Sequence, residues 1–199
     1  MNGNRLALVA LLFLVGLFRS SAAAAIRYVD ADSTNPVAPF LEWATAATNI
    51  QDAVDAAIEH DTVLVGDGVY ATGMREAGFA GNRVVIDKPI LVRSLNGPAV
   101  TVIQGAGSAR CLYLTNGVTV AGFTLTGGAG AGDGGGVFAA DRSVISNCII
   151  QGNSAYVSGG GVYGGVVWNC EIRENSADSA EPGRTHSGGG ISFAEVHNS

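Results

Sequence analysis

The sequence predicts an all-β solenoid in which short parallel strands stack coil upon coil, and three observations predict it. A glycine triplet followed by an aliphatic residue recurs at Gly134-Gly135-Gly136-Val137, Gly159-Gly160-Gly161-Val162 and Gly188-Gly189-Gly190-Ile191. An Asn followed by a small residue comes after each triplet, at Asn147-Cys148, Asn169-Cys170 and Asn198-Ser199. A period of roughly 22 to 30 residues belongs to repeat architectures, in which each unit buries its apolar face against the next. Aligned on these landmarks, the segments alternate apolar and polar with period two, a strand pattern rather than a helical one.

The chain opens outside this repeat. Met1–Arg5 is short and weakly basic, Leu6–Phe18 is an apolar run, and Ala23-Ala24-Ala25 offers small residues for cleavage. Residues 1–25 therefore read as a secretory signal peptide, which implies a secreted or cell-surface protein. The run is shorter than the ~20 apolar residues that a membrane-spanning helix needs, so no span is expected. Asp30-Ala31-Asp32-Ser33-Thr34-Asn35 has the alternating oxygens that begin a calcium loop but lacks its central Gly and terminal Glu. It reads as a polar leader, with calcium binding as the alternative, and neither a metal site nor a cofactor is otherwise expected.

Ile50, Ala53, Val54, Ala57 and Ile58 then fall on one helix face. Thr48, with Gln51 three residues later, fits a capping box. A helix is predicted at about Asn49–Glu59, inside a 48–60 segment placed to cover the open end of the solenoid. Strand-like runs follow at Thr62–Val65, Arg83–Asp87, Ile90–Ser94 and Val100–Gln104, punctuated by Asp67-Gly68, Lys88-Pro89 and Asn96-Gly97-Pro98.

The repeat proper aligns Arg110–Leu114 with Gly135–Ala139, Gly160–Gly164 and Gly189–Phe193. One column reads Leu112, Val137, Val162, Ile191 and faces inward. Its neighbour reads Tyr113, Phe138, Tyr163, Ser192 and faces outward. A later strand places Cys148 and Cys170 in an inward column, as an unbonded ladder of small hydrophobes. The alternative is a disulfide between coils, which a strand spacing of about 4.8 Å permits. Two further columns, Gly122/Asn147/Asn169/Asn198 and Gly128/Asn153/Asn175, exchange Gly with Asn. These residues best tolerate positive φ, so both columns read as left-handed corners. The result is three short strands per coil.

On the capping helix, the Asn corners and the Gly-Gly-Gly-Val strands, the chain resembles the right-handed parallel β-helix proteins of the pectate-lyase-like superfamily, from about Ile26 to Ser199. The glycine-rich repeats are also similar to those of bacterial polymorphic outer-membrane proteins. The resemblance implies a right-handed parallel β-helix domain over 26–199, with polysaccharide against the outer strand face and neighbouring loops.

Carried over by position, that face is the column Tyr113, Phe138 and Tyr163. Its rings either hold sugars by their apolar faces or stack on one another as a stabilising ladder. The longest loop, Ser176–Ser187, carries Asp178, Glu181, Arg184 and His186, a set able to do acid–base work on a glycoside or uronate. Lyases that resemble this fold join a calcium-binding acidic cluster to an arginine base, and related hydrolases use strand-borne Asp pairs. The aligned strands here carry no such pairs, so the loop reads more simply as a solvated insertion.

Composition narrows the partners. The formal charge is −6 and Lys88 is the only lysine, so no basic patch for nucleic acid exists. The 29 glycines recur at fixed places, unlike those of a disordered linker. Cys111, Cys148 and Cys170 lack zinc-ligand spacing. A non-catalytic protein that binds polysaccharide or cell-surface glycan, or that adheres, is the expected function. A polysaccharide lyase or glycoside hydrolase with active residues largely outside this chain is the alternative. Because Asn198-Ser199 falls at a corner, the chain is further expected to be the N-terminal part of a longer solenoid. Alone, it is expected to self-associate end to end through its uncapped coil.

Overall fold

The structure is a computed structural model that describes residues 23–78, 80–115, 117–178 and 188–199. The apolar run of the expected signal peptide lies outside the described residues. The backbone forms a parallel β-solenoid of about five coils. Four sheets run along it. The seven-stranded sheet stacks Ile26–Val29, Thr62–Val65, Leu91–Ser94, Thr119–Ala121, Val144–Ser146, Val166–Trp168 and Glu195–His197. The five-stranded sheet stacks Gly68–Tyr70, Thr101–Gln104, Thr124–Thr126, Ile149–Gln151 and Glu171–Arg173.

In the six-stranded sheet, the hairpin strand Arg75–Ala77 runs antiparallel to Ala80–Ile86; Arg110–Leu114, Val137–Ala139, Val162–Tyr163 and Ile191–Ser192 follow in parallel. A fourth, very short sheet of Ala129–Gly130, Ser154–Ala155 and Ser176–Ala177 appears only in the later coils. The three-strand coil of the sequence reading thus gains a two-residue strand there, too short for any periodicity to reveal.

The alternation of side chains builds the core. Leu112 pairs with Val137, Val137 with Val162 and Val162 with Ile191, the register expected from the alignment. The first three are fully buried. Matching inward columns run Val92, Val120, Ile145, Val167 and Ile103, Leu125, Ile150. Each such aliphatic chain contributes about 1.5–3 kcal/mol by leaving water.

Two kinds of polar column shape the corners. Asn147, Asn169 and Asn198 have φ of 51°, 50° and 50°, and Gly122 has 80°, so this column is the left-handed corner it was read to be. Along its outer edge, Asn169 Nδ2 donates to Asn147 Oδ1 at 2.7 Å. The second Gly/Asn column is different. The positive φ belongs to the preceding residues Gly127, Gly152 and Glu174, at 61°, 62° and 57°. Asn153 instead points inward and is 1% exposed. Its Oδ1 accepts the Gly128 N–H at 2.8 Å, and its Nδ2 donates to Leu125 O and Asn175 Oδ1, both at 3.0 Å. Asn175 Nδ2 donates in turn to Ile150 O at 2.9 Å. The column is an internal amide ladder that satisfies backbone groups where the coil turns away from its own sheet.

The triplets follow from close approach. Gly159 has φ 63°. A Cβ on Gly160 would lie 2.0 Å from Ser176 O, and one on Gly161 would lie 2.5 Å from Gly190 O. The first glycine is needed for its conformation and the next two because no side chain fits between coils.

The cap helix α1, Ile50–Ala56, is shorter than expected and starts one residue later. Its N-cap is Asn49, whose Oδ1 accepts the Asp52 N–H at 3.0 Å, while Asn49 Nδ2 reaches the Asp52 carboxylate at 2.7 Å. Gln51 therefore does not close a box with Thr48. Its Oε1 accepts the Val85 N–H at 2.7 Å and its Nε2 donates to Val85 O at 3.1 Å, so one amide imitates a strand along the first coil. At the other end of α1, Lys88 Nζ donates to Val54 O and Ala57 O. Beneath the cap, Asp61 is fully buried and accepts from Arg27, Ala25 N and Ile58 N.

Candidate functional site

The outward aromatic column lies on the six-stranded sheet, at the position the alignment gave it. Tyr113 stacks on Phe138 with ring centroids 5.1 Å apart and planes 6° from parallel, and Phe138 on Tyr163 at 5.4 Å and 14°. The three rings are nearly parallel to one another, so Phe138 has a neighbouring ring on each face and leaves its edge to solvent. Gly78, in the hairpin, packs against the free face of Tyr113; a Cβ there would lie 2.5 Å from Tyr113 Cε2. At the other end, Phe193 adds a fourth ring, 5.4 Å from Tyr163 and tilted by 52°, with 79% of its surface exposed. Register alone did not reveal Phe193, because Ser192 is the strand partner of Tyr163. A positive φ of 54° at Phe193 turns its ring back under the column.

Arg110 supports the ladder from inside and is 1% exposed. Its Nε donates to Gly134 O at 2.6 Å, its Nη1 to Asn82 Oδ1 at 2.6 Å, and its Nη2 to Asp133 O at 2.8 Å. The guanidinium carbon lies 5.9 Å from the Tyr113 centroid and 5.6 Å from that of Phe138. Desolvation lowers its pKa, opposed by the charges of Tyr113 and Asp133, and the bonds to carbonyls hold the cation in place. The signal for it was present in the sequence: Arg110 stands where the other coils carry Gly135, Gly160 and Gly189.

Two grooves border the ring edges. One, of about 350 Å³, is lined by Gly78, Arg110, Tyr113, Asp133 and Phe138. The other, of about 470 Å³, is lined by Phe138, Ala140, Asp141, Tyr163 and Phe193. Together they make an extended strip that is aromatic along its middle and carries one carboxylate on each side.

Of the four acid–base candidates, Asp178 alone is described; Glu181, Arg184 and His186 lie outside the described residues. Asp178 is exposed and lines a third groove, of about 430 Å³, with Ser108, Ser154 and Tyr156. Asp30 and Asp32 line a separate groove with Trp43 and Asp67, and the Asp30 carboxylate accepts the Asp32 N–H at 3.0 Å, as a turn residue does. Among the described residues, no group of three or more His, Cys, Asp or Glu is arranged to hold a metal ion. No helix among them is long and apolar enough to cross a membrane.

The three thiols are buried, and none is in a disulfide. Burial pushes Cys111 up to about 12. The hydrogen bond with Cys170, with burial added, raises the Cys148 pKa well above the usual thiol value. Cys148 Sγ accepts the Phe123 N–H at 3.5 Å, Cys170 Sγ accepts the Cys148 N–H at 3.4 Å, and Ser199 Oγ accepts the Cys170 N–H at 3.1 Å. The column is therefore a line of acceptors passed from coil to coil.

Comparison with models of known families, with curated proteins and with solved structures found no match to this chain. The fold and its side-chain columns define a parallel β-helix repeat protein.

Proposed function

We propose that this chain is an exported or cell-surface β-helix repeat protein with a non-catalytic role, binding glycan or adhering through its outer face. In this reading it is a right-handed relative of the pectate-lyase-like architecture that serves as a scaffold. The observation that supports the reading is the aromatic column. Four rings, 5.1 to 5.4 Å apart, follow the solenoid axis, with grooves along their edges. A linear polymer laid along the axis meets an aromatic edge in successive coils from Tyr113 onward. Because the inner rings spend their faces on one another, sugar contact falls to their edges and to the open face of Phe193.

The test is retention of the purified chain on a panel of immobilised polysaccharides, repeated after alanine replacement of Tyr113, Phe138 and Tyr163 one at a time. The parent is expected to be retained and each variant to lose retention at least about fivefold, in line with the worth of one aromatic contact. Circular dichroism shows that the variants stay folded. Retention unchanged in all three variants, or a parent retained by no polysaccharide, would sink the glycan reading.

A further inference from the structure

The turn between α1 and the strand Thr62–Val65 buries a carboxylate whose oxygens are used unequally. Asp61 is 0% exposed. Its Oδ2 accepts Arg27 Nη2 at 2.9 Å, Arg27 Nε at 3.2 Å and the Ile58 N–H at 3.0 Å. Its Oδ1 accepts the Ala25 N–H at 2.6 Å and no other donor among the described residues. Ala25 is held from its other side as well, because its carbonyl accepts the Thr62 N–H at 2.8 Å. The guanidinium is pinned in turn, with Arg27 Nη1 donating to Pro39 O at 3.0 Å. Burial raises the Asp61 pKa, but the N–H groups of Ile58 and Ala25 together with Arg27 outweigh it, so the group is buried as a carboxylate. Ala23 and Ala24, just before this anchored residue, are exposed.

A carboxylate oxygen can accept more than one hydrogen, and an amide nitrogen supplies one. The residues leading up to this point are Ala22-Ala23-Ala24, which put small side chains third and first before the Ala24–Ala25 bond, as a signal peptidase requires. Hydrolysis there adds water across the amide. Ala24 leaves with the leader as a carboxylate, and the Ala25 nitrogen gains a hydrogen and then a proton, since an α-amine has a pKa of about 7.7–8.0. The neutral donor on Asp61 Oδ1 thereby becomes an ammonium, and charge-assisted hydrogen bonds are about twice as strong as neutral ones. Arg27 opposes a second cation, but it bonds to Oδ2 and leaves Oδ1 to the amine. Ala25 is half-buried, which gives the remaining ammonium hydrogens a route to water. A cut one residue later, after Ala25, would instead strip both Asp61 Oδ1 and the Thr62 N–H of their partner.

We propose that the leader is removed between Ala24 and Ala25, and that the α-ammonium group so formed is received by the buried carboxylate of Asp61. The new chain end is then a structural part, tying the strand Ile26–Val29 to the turn that follows α1 at the capped end of the solenoid. The sequence pattern alone admits a cut after Ala25 equally well, because Ala23 and Ala25 are as small as Ala22 and Ala24. The Asp61 contact decides between them and moves the boundary one residue earlier. The inference rests on the export half of the proposed function and not on glycan binding.

The full chain, expressed with its own leader in an exporting bacterium, tests the cut through the first residue of the exported protein, read by Edman degradation. Ala25 is expected. An exported protein that begins at any other residue overturns this inference and leaves the export reading standing, whereas a chain kept inside the cell with its leader attached overturns both. Thermal unfolding tests the contact, on chains released from a cleavable fusion to begin at Ala24, Ala25 or Ile26. The Ala25 chain is expected to melt about 2–4 °C above the Ala24 chain, in which the Ala25 nitrogen is again an amide, and the Ile26 chain is expected to melt lowest. Acetylating the α-amine of the Ala25 chain should erase the gain. Lys88 is the only lysine, so a Lys88→Arg background confines acetylation to that amine. Asp61→Asn should erase the gain too, and if that variant does not fold, the length series and the acetylation decide. Melting temperatures without a maximum at Ala25, or a gain that survives acetylation, overturn the proposal.

Discussion

The internal amide ladder makes a quantitative claim through Asn153→Ala. The side chain of Asn153 is the partner of Gly128 N–H and of Leu125 O, at 2.8 and 3.0 Å, and both groups are buried. Cys111 Sγ, which also reaches Asn153 Oδ1, keeps Thr126 O as an acceptor, and Asn175 Oδ1 keeps the Asn153 N–H. The truncation therefore orphans two backbone groups. At roughly 1–3 kcal/mol each, with a small void added, the loss is expected near about 3–5 kcal/mol. Asn175→Ala likewise removes the partners of two backbone groups, Ile150 O and the Asn153 N–H, so a loss of similar size, about 2–4 kcal/mol, is expected there. Urea unfolding of both variants measures the losses, with an unchanged slope showing that the same surface is exposed. Amide exchange at Gly128 should accelerate most in the Asn153 variant. A loss below about 0.5 kcal/mol at Asn153 would refute the ladder as the device that holds the turn.

Three more expectations follow from the same geometry. Gly160→Ala should abolish stable folding, since its Cβ would sit 2.0 Å from Ser176 O; a soluble variant with the parent's melting temperature would contradict this. Burial raises the pKa of Asp61, but the N–H groups of Ile58 and Ala25 together with Arg27 outweigh it, and the carboxyl titrates below its usual range. Its folded-state pKa is depressed, so its contribution is present above the usual aspartate value and is lost as pH falls through the depressed one; Asp61→Asn should flatten the acid limb of a stability profile from about pH 2 to 7. The thiols at Cys111, Cys148 and Cys170 should resist Ellman's reagent in the native chain at about pH 8 and react in denaturant, and rapid native reaction of Cys111 would deny its burial.

What the sequence reveals and what it hides both follow from chemistry. The inward column from Leu112 to Ile191 was legible because parallel strands repeat every side chain at one height, so burial writes the same residue type into each coil. The corner at Asn147, Asn169 and Asn198 was legible because few residues tolerate positive φ. The column of Asn153 was misread for an instructive reason. Gly and Asn exchange at corners because of φ, but they also exchange where a small residue or an inward amide meets a crowded backbone. A Cβ on Gly128 would lie 2.3 Å from Gly135 O, which explains the glycine there without any left-handed conformation. Outside the repeat, pattern was weaker still. The strand Ile26–Val29 and the hairpin at Arg75–Ala77 have no second copy to align with, and Gln51 looked like half of a capping box until its amide was found on Val85. At the candidate site the outward rings could be placed, but not their stacking angle, and that angle decides whether a sugar meets a face or an edge.

The line of acceptors from Cys148 to Ser199 carries one more implication. The three acceptors stand 25, 22 and 29 residues beyond their donors, yet each receives the corresponding N–H from the coil before it. The solenoid keeps count of corners rather than of residues. Length can thus be added or removed at one vertex of a coil without disturbing its neighbours, so the peripheral segments are free to diversify in evolution, or to accept a grafted peptide, while the trunk stays constant.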